Sequence, residues 1–151
     1  MGPAELEKLI SNQRVAIETS LYILALENNQ EFPLAIEFFR LLPKSKAVAY
    51  ASVLSITEVM NKSYELKSID RIPDRLDFMA GKGLITMVNV DRAIALKAAE
   101  FRATYNLKTP DAIHLATATE RDCQLFFTAD KDFQTKISEV KIIHIEPAGP
   151  K

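Results

Sequence analysis

The sequence predicts a single α/β domain: a doubly wound, Rossmann-like parallel sheet of four to five strands with helices on both faces. Three observations carry that prediction. Short β-prone runs alternate with helical patterns along the chain, an order that buries a parallel sheet between helices joined by right-handed crossovers. The 151 residues suffice for one domain with a sizeable core, and not for two of ordinary size. No internal repeat, low-complexity segment or long linker divides the chain.

Residues 1–13 are polar apart from Leu6, Leu9 and Ile10. They read as an N-terminal extension with a loose helix, in part compatible with an expression remnant. The domain proper is expected over 14–146, and a frayed tail over 147–151, where two prolines and a glycine stand.

The first strand is Arg14-Val15-Ala16-Ile17. Helical patterns follow from Ser20 to Asn28 and from Pro33 to Leu42. Pro33 is acceptable because a proline in the first turn forfeits an N–H that has no helical partner. Ala47 to Val53 is the second β-prone run, giving way to a helix from Ser55 to Leu66. A further helix, Pro73 to Ala80, stops at Gly81-Lys82-Gly83, since glycine readily takes the left-handed backbone of a helix C-terminus.

Leu84 to Val88 reads as the third strand. Asp91 then caps an amphipathic helix ending at Tyr105. Thr109-Pro110 opens another helix, to about Arg121, and Leu125 to Thr128 is a short buried strand. Asp130 to Phe133 forms a turn, and Val140 to Ile145 supplies the last strand.

Composition excludes more than it identifies. With 48% hydrophobic and 26% charged residues the chain is ordinary soluble material. A net charge of -1 argues against a bulk nucleic-acid coat protein, while leaving room for a local basic rim. Cys123 is the only cysteine, so an internal disulfide is excluded, and it reads as a small buried or half-buried residue. No apolar run approaches the roughly 18 residues of a membrane span, and the charged N-terminus lacks a signal-peptide core. A cytoplasmic protein without membrane contact is expected. The glycines at 2, 81, 83 and 149 build neither G-x-G-x-x-G nor a P-loop, which disfavours dinucleotide and nucleoside triphosphate sites. The paired aspartates of phosphotransfer aspartyl enzymes are also missing after the first strand.

Acids recur where such a sheet binds ligands, outside the carboxyl ends of its strands. Glu18 follows the first strand, and Glu58 lies one turn into the helix after the second. Asp111 is in the first turn of a late helix, and Asp130 follows the fourth strand. Each has an ordinary explanation. Ser55-x-x-Glu58 matches a capping box, Asp111 suits the positive end of a helix dipole, Asp130 fits a solvated turn, and Glu18 an exposed loop. Four carboxylates sharing one crevice would repel one another unless some held protons or a cation lay among them. Hard oxygen donors with room for water suit Mg²⁺ or Mn²⁺.

The residues at this point resemble the PIN-domain family, in particular its small VapC-like toxin ribonucleases. The resemblance spans about Arg14 to Ile145. It is carried by Val15-Ala16-Ile17-Glu18-Thr19-Ser20, Ser55-Ile56-Thr57-Glu58-Val59, Thr109-Pro110-Asp111-Ala112-Ile113-His114-Leu115-Ala116-Thr117-Ala118, and Phe127-Thr128-Ala129-Asp130-Lys131-Asp132-Phe133. It implies a Mg²⁺- or Mn²⁺-dependent endoribonuclease, the toxin of a toxin–antitoxin pair. Glu18, Glu58, Asp111 and Asp130 would be its catalytic and metal-binding acids. Ser20 and Thr128 would support those acids through hydrogen bonds. Asp132, close to Asp130, is read from its position alone, either as reaching the metal region through water or as stabilising the turn. RNA, an antitoxin protein and a second copy of the chain are the implied partners. One position departs from the family, which normally has aspartate where Glu18 stands; the added methylene moves the carboxylate by roughly 1.5 Å.

Other candidates have plainer readings. His114 shares a helical face with Asp111 and is read first as structural; His144 is read as surface or filler, and Asp91 as a cap. Phe38, Phe39, Phe126 and Phe127 are core or interface residues. Lys62, Lys67, Arg71, Arg75 and Lys82 form either a phosphate-contacting rim or a solvated helix surface. The competing function is a catalytically weak or inactive PIN-like interaction module, with a DNA-directed nuclease as a third reading.

Overall fold

Alternation within short strands decides which helix covers which face of the sheet. The computed structural model describes residues 1–149. Its strands are β1 (Arg14–Ile17), β2 (Val48–Ser52), β3 (Ile85–Val88), β4 (Leu125–Thr128) and β5 (Lys141–His144). All pair in parallel, in the order β3-β2-β1-β4-β5. The doubly wound sheet is therefore present, with five strands among the described residues.

The helices are α1 (Pro3–Ile10), α2 (Thr19–Leu26), α3 (Pro33–Ser45), α4 (Leu54–Glu65), α5 (Ile72–Met79), α6 (Arg92–Tyr105) and α7 (Thr109–Glu120). Val15, Ile17, Leu125 and Phe127 join a core with α1 to α5, whereas Ala16 and Phe126 join a second core with α6 and α7. Phe127 packs on Phe38, with ring centroids 4.9 Å apart. Among the described residues no helix is long and apolar enough to cross a membrane. Cys123 is buried, and burial pushes its thiol up to about 12, which leaves it inert at neutral pH.

Two elements differ from the sequence reading. The N-terminal helix is docked rather than loose: Leu6 and Ile10, one turn apart, are fully buried against the first core. Helix α3 runs past Leu42 to Ser45 with Pro43 inside it. A proline in the last turn breaks little of the helical ladder, and Lys46 then closes the helix in the left-handed region. The glycine stop after α5 is as expected. Gly81 has φ +54°, and a Cβ there would stand 2.9 Å from the Ile85 side chain. The expected tail falls partly on residues 150 and 151, outside the described residues; within them, the Ala148 N–H donates to the Glu31 carbonyl at 2.7 Å.

With β1 central, the strand order reverses direction beside it, between β2 and β4. That reversal opens a crevice at the carboxyl edge of the sheet. The chain segments leaving β1, β2 and β4 all emerge there.

Candidate metal centre

Glu18 directly follows β1 and caps α2. Its backbone N–H continues the ladder to the Phe127 carbonyl at 2.9 Å, which fixes the residue at the strand's edge. The carboxylate is buried, 6% exposed. Its Oε2 accepts from the Ser20 N–H at 3.1 Å, from the Ser20 hydroxyl, and from the Thr128 hydroxyl at 2.8 Å. The Ser20 oxygen in turn accepts from the Ala129 N–H at 2.8 Å, and Thr128 Oγ1 accepts from the Asp130 N–H at 3.0 Å. Ser20 and Thr128 thus tie the start of α2 to the segment that carries Asp130.

Glu58 projects from α4, and the capping-box explanation does not hold for it. The N-cap is Val53, with no side-chain cap bond. Ser55 lies inside the helix, fully buried, with its hydroxyl 2.9 Å from that of Thr19. Glu58 Oε1 accepts from the Thr19 hydroxyl at 2.7 Å and lies 2.6 Å from His114 Nε2. Burial works to raise this carboxyl, but the hydrogen bonds from His114 and Thr19 outweigh it and hold it below its ordinary value of 4.5.

Asp111, in the first turn of α7, is held above its ordinary value of 3.8. Burial is the largest cause, followed by the negative charges of Asp130 and Glu18, with Glu58 adding to them and His114 opposing. Acids from four separate segments therefore act on one another electrostatically at one edge of the sheet. Asp130 Oδ1 accepts from the Asp132 N–H at 2.9 Å, so Asp132 is linked through its backbone, and its own side chain is exposed.

An all-oxygen set with mutual repulsion fits a hard divalent cation. The acids do not stand gathered around one point: among the described residues no three histidine, cysteine or acidic side chains are spaced to hold an ion. An ion would draw these acids together, and Glu18 Oε1 and Glu58 Oε2 remain without hydrogen bonds among the described residues.

A cavity of about 270 Å³ opens beside Glu58, walled by Ile23, Val59 and Leu66 and bordered by Lys62 and Arg75. Lys62 pairs with Glu27 at 3.3 Å. Arg75 donates to the hydroxyls of Ser63 and, at 3.3 Å, Ser68. Of the other expected rim residues, Lys67 and Arg71 are exposed, and Lys82 lines a separate pocket with Phe39 and Phe78. His144 is half-buried, its Nε2 donating to the Phe133 carbonyl at 3.0 Å. Asp91 caps α6 as expected, accepting from the Ile94 N–H at 2.9 Å.

Thr19 and Ser55 escaped the sequence reading as site residues. Thr19 gave one signal, its position directly after an acid at a strand end. Ser55 gave a misleading one, because its spacing from Glu58 imitates a cap. His114 carried the helical spacing from Asp111, but nothing in the sequence says that it reaches Glu58, 56 positions away.

Comparisons with known proteins bear on the whole arrangement. A family model described as PIN domain matches residues 7–137. No curated protein matches the chain significantly. Among solved structures, a toxin–antitoxin complex from Klebsiella pneumoniae is similar with a TM-score of 0.64 at 23% identity, over 83% of this chain and 94% of that one. VapBC2 from Rickettsia felis, bound to a DNA fragment from its promoter, gives 0.68 at 12%, over 86% and 97%. VapC20 from Mycobacterium tuberculosis, a toxin that cleaves the sarcin–ricin loop, gives 0.63 at 16%, over 84% and 98%. At these identities the structural likeness concerns the fold.

Proposed function

The chain belongs to the PIN-domain family, and on that premise we propose that it is a metal-dependent endoribonuclease, the toxin of a toxin–antitoxin pair. The observation that carries the reading is the convergence of Glu18, Glu58, Asp111 and Asp130 on one edge of the sheet, where burial first and then the charges of Asp130, Glu18 and Glu58 hold the Asp111 carboxyl up. Such repulsion is costly in a protein that has no use for it. The toxins among the structural neighbours support the RNA substrate and the antitoxin partner. Exposed apolar side chains at Tyr64, Leu66, Ile69 and Leu76 support a protein partner on the α4–α5 side. A second copy of the chain is a further partner under this reading, and the cytoplasm its compartment.

Glu18, Glu58, Asp111 and Asp130 would hold Mg²⁺ or Mn²⁺. When bound, such an ion polarises the scissile phosphodiester and lowers the pKa of a water nucleophile. The chain's own residues do the rest. Ser20 and Thr128 hold Glu18 by one oxygen, and the Asp132 N–H orients Asp130. Lys62 and Arg75 stand where an RNA backbone would pass Glu58.

The test is hydrolysis of a single-stranded RNA and its matched DNA strand with added Mn²⁺. Cleavage of RNA alone supports the reading, and cleavage of DNA alone overturns the substrate assignment. Millimolar Mg²⁺ or Mn²⁺ is expected to raise the melting temperature by a few degrees, because an ion that binds only the folded chain stabilises it. A melting curve indifferent to both ions would count against the centre.

A second reading, the catalytically weak or silent PIN-like interaction module, rests on Glu18. Its Oε2 already accepts three hydrogen bonds, as a structural cap would. The two readings part at Glu18→Asp and Glu18→Gln. A nuclease retains or gains activity with Asp, which still caps α2, and loses it with Gln. A silent module leaves RNA intact in all three forms while still binding its protein partner.

A further inference from the structure

The contacts around Glu58 assign it a defined pose. Glu58 Oε1 is 2.7 Å from Thr19 Oγ1 and 2.6 Å from His114 Nε2. A carboxylate only accepts, so the proton in each contact comes from the partner. Thr19 has one hydroxyl proton and spends it on Glu58. Ser55, 2.9 Å from Thr19 Oγ1, must then donate to Thr19. His114 Nε2 carries a proton for the same reason, and its 3.2 Å contact with Thr19 Oγ1 is met by a lone pair of that oxygen. Hydrogen bonds thus run from Ser55 through Thr19 to Glu58, and from His114 to the same oxygen.

The donors are far more buried than the acid they serve. The His114 side chain is 2% exposed and that of Glu58 35%, and Thr19 and Ser55 are both buried. They sit on three helices, α2, α4 and α7, so packing fixes them relative to one another. His114 Nδ1 is buried without a partner among the described residues. The imidazole therefore makes its hydrogen bonds through Nε2 alone, on the Glu58 side, a costly placement for a residue that merely fills space.

We propose that Thr19 and His114 are positioning residues for Glu58. Together they clamp Oε1 and leave Oε2 as the oxygen that engages a divalent ion. An isolated glutamate on a helix surface samples many rotamers and must give them up on binding, whereas a clamped one has already lost them. Hydrogen bonds behind a metal ligand commonly set affinity by ten- to a hundredfold. This inference rests on the metal-centre reading above, and its test separates the two.

The experiment is a titration of the full chain with Mn²⁺, reading free Mn²⁺ by electron paramagnetic resonance, for the wild type, T19V, T19S, H114L and H114Q. Thr19→Val and His114→Leu are expected to weaken Mn²⁺ binding by about ten- to a hundredfold. Their RNA hydrolysis should recover to near wild-type rate at saturating Mn²⁺. Thr19→Ser keeps a hydroxyl and His114→Gln an N–H donor, and both are expected to bind within a few-fold of wild type. Wild-type affinity in folded T19V and H114L overturns the positioning role alone. A wild-type chain that binds no Mn²⁺ overturns the metal centre and this role with it. Should H114L fail to fold, the contrast of T19V with T19S decides.

Discussion

Asp111→Asn is expected to lower RNA hydrolysis in Mn²⁺ by about 10²–10³-fold, the scale for losing one preorganised electrostatic group, while making the metal-free protein more stable at pH 7. The two effects share a cause. Burial and the charges of Asp130, Glu18 and Glu58 raise the Asp111 carboxyl from its ordinary 3.8. The folded chain therefore keeps that proton at pH values where the unfolded chain has released it. Stability linked to this group falls as pH rises through that interval and stays low above it. Asparagine removes the charge, so the variant should melt above wild type at pH 7, and the gap should close below about pH 3.8. Glu58 has the opposite sign: held below 4.5, it stabilises above that pH and loses its contribution as pH falls. Because both proteins share Glu58, the difference between their melting curves reports Asp111 together with its coupling to its neighbours. Equal or lower stability of the variant at pH 7 would show that the acids do not strain one another.

Phe127→Ala is expected to cost about 3–5 kcal/mol, a large part of the ~5–15 kcal/mol by which domains are stable. Phe127 is fully buried in β4, and its ring meets Phe38 of α3 at 4.9 Å. Truncation leaves a hole between the sheet and that helix, and it loosens the strand that carries Thr128 toward Glu18. Urea unfolding followed by circular dichroism measures the loss. A shift under 1 kcal/mol would mean that the core closes around the gap.

The two kinds of sequence signal met different fates. The strands were legible as short β-prone runs, most plainly Leu125-Phe126-Phe127-Thr128, which is buried on both faces and reads as a compact apolar run. The stop at Gly81 was legible because it depends on one residue's backbone freedom. The docking of α1 was not: two apolar residues four apart in a short polar stretch do not reveal that a surface awaits them. Among the site residues, Glu18, Glu58 and Asp130 stood out because they come soon after strand ends, and Asp111 because it opens a helix. The partners of Glu58 did not, because a contact between Thr19, Glu58 and His114 exists only once α2, α4 and α7 share an edge. Local spacing even argued the wrong way at Ser55, where a pattern that suits capping serves a bond to another helix.

The strand order has a consequence for how the protein is made. Strand β1 leaves the ribosome first, yet it lies between β2 and β4, and the residues of β4 are more than a hundred positions behind it. A nascent chain that ends before Leu125 has only one edge of β1 paired and lacks both the Thr128 bond to Glu18 and the last acid. Its neighbouring edge is open to any free strand nearby. Translation must therefore pass β4 before the crevice exists, so products truncated ahead of that strand would be sticky fragments rather than partial domains.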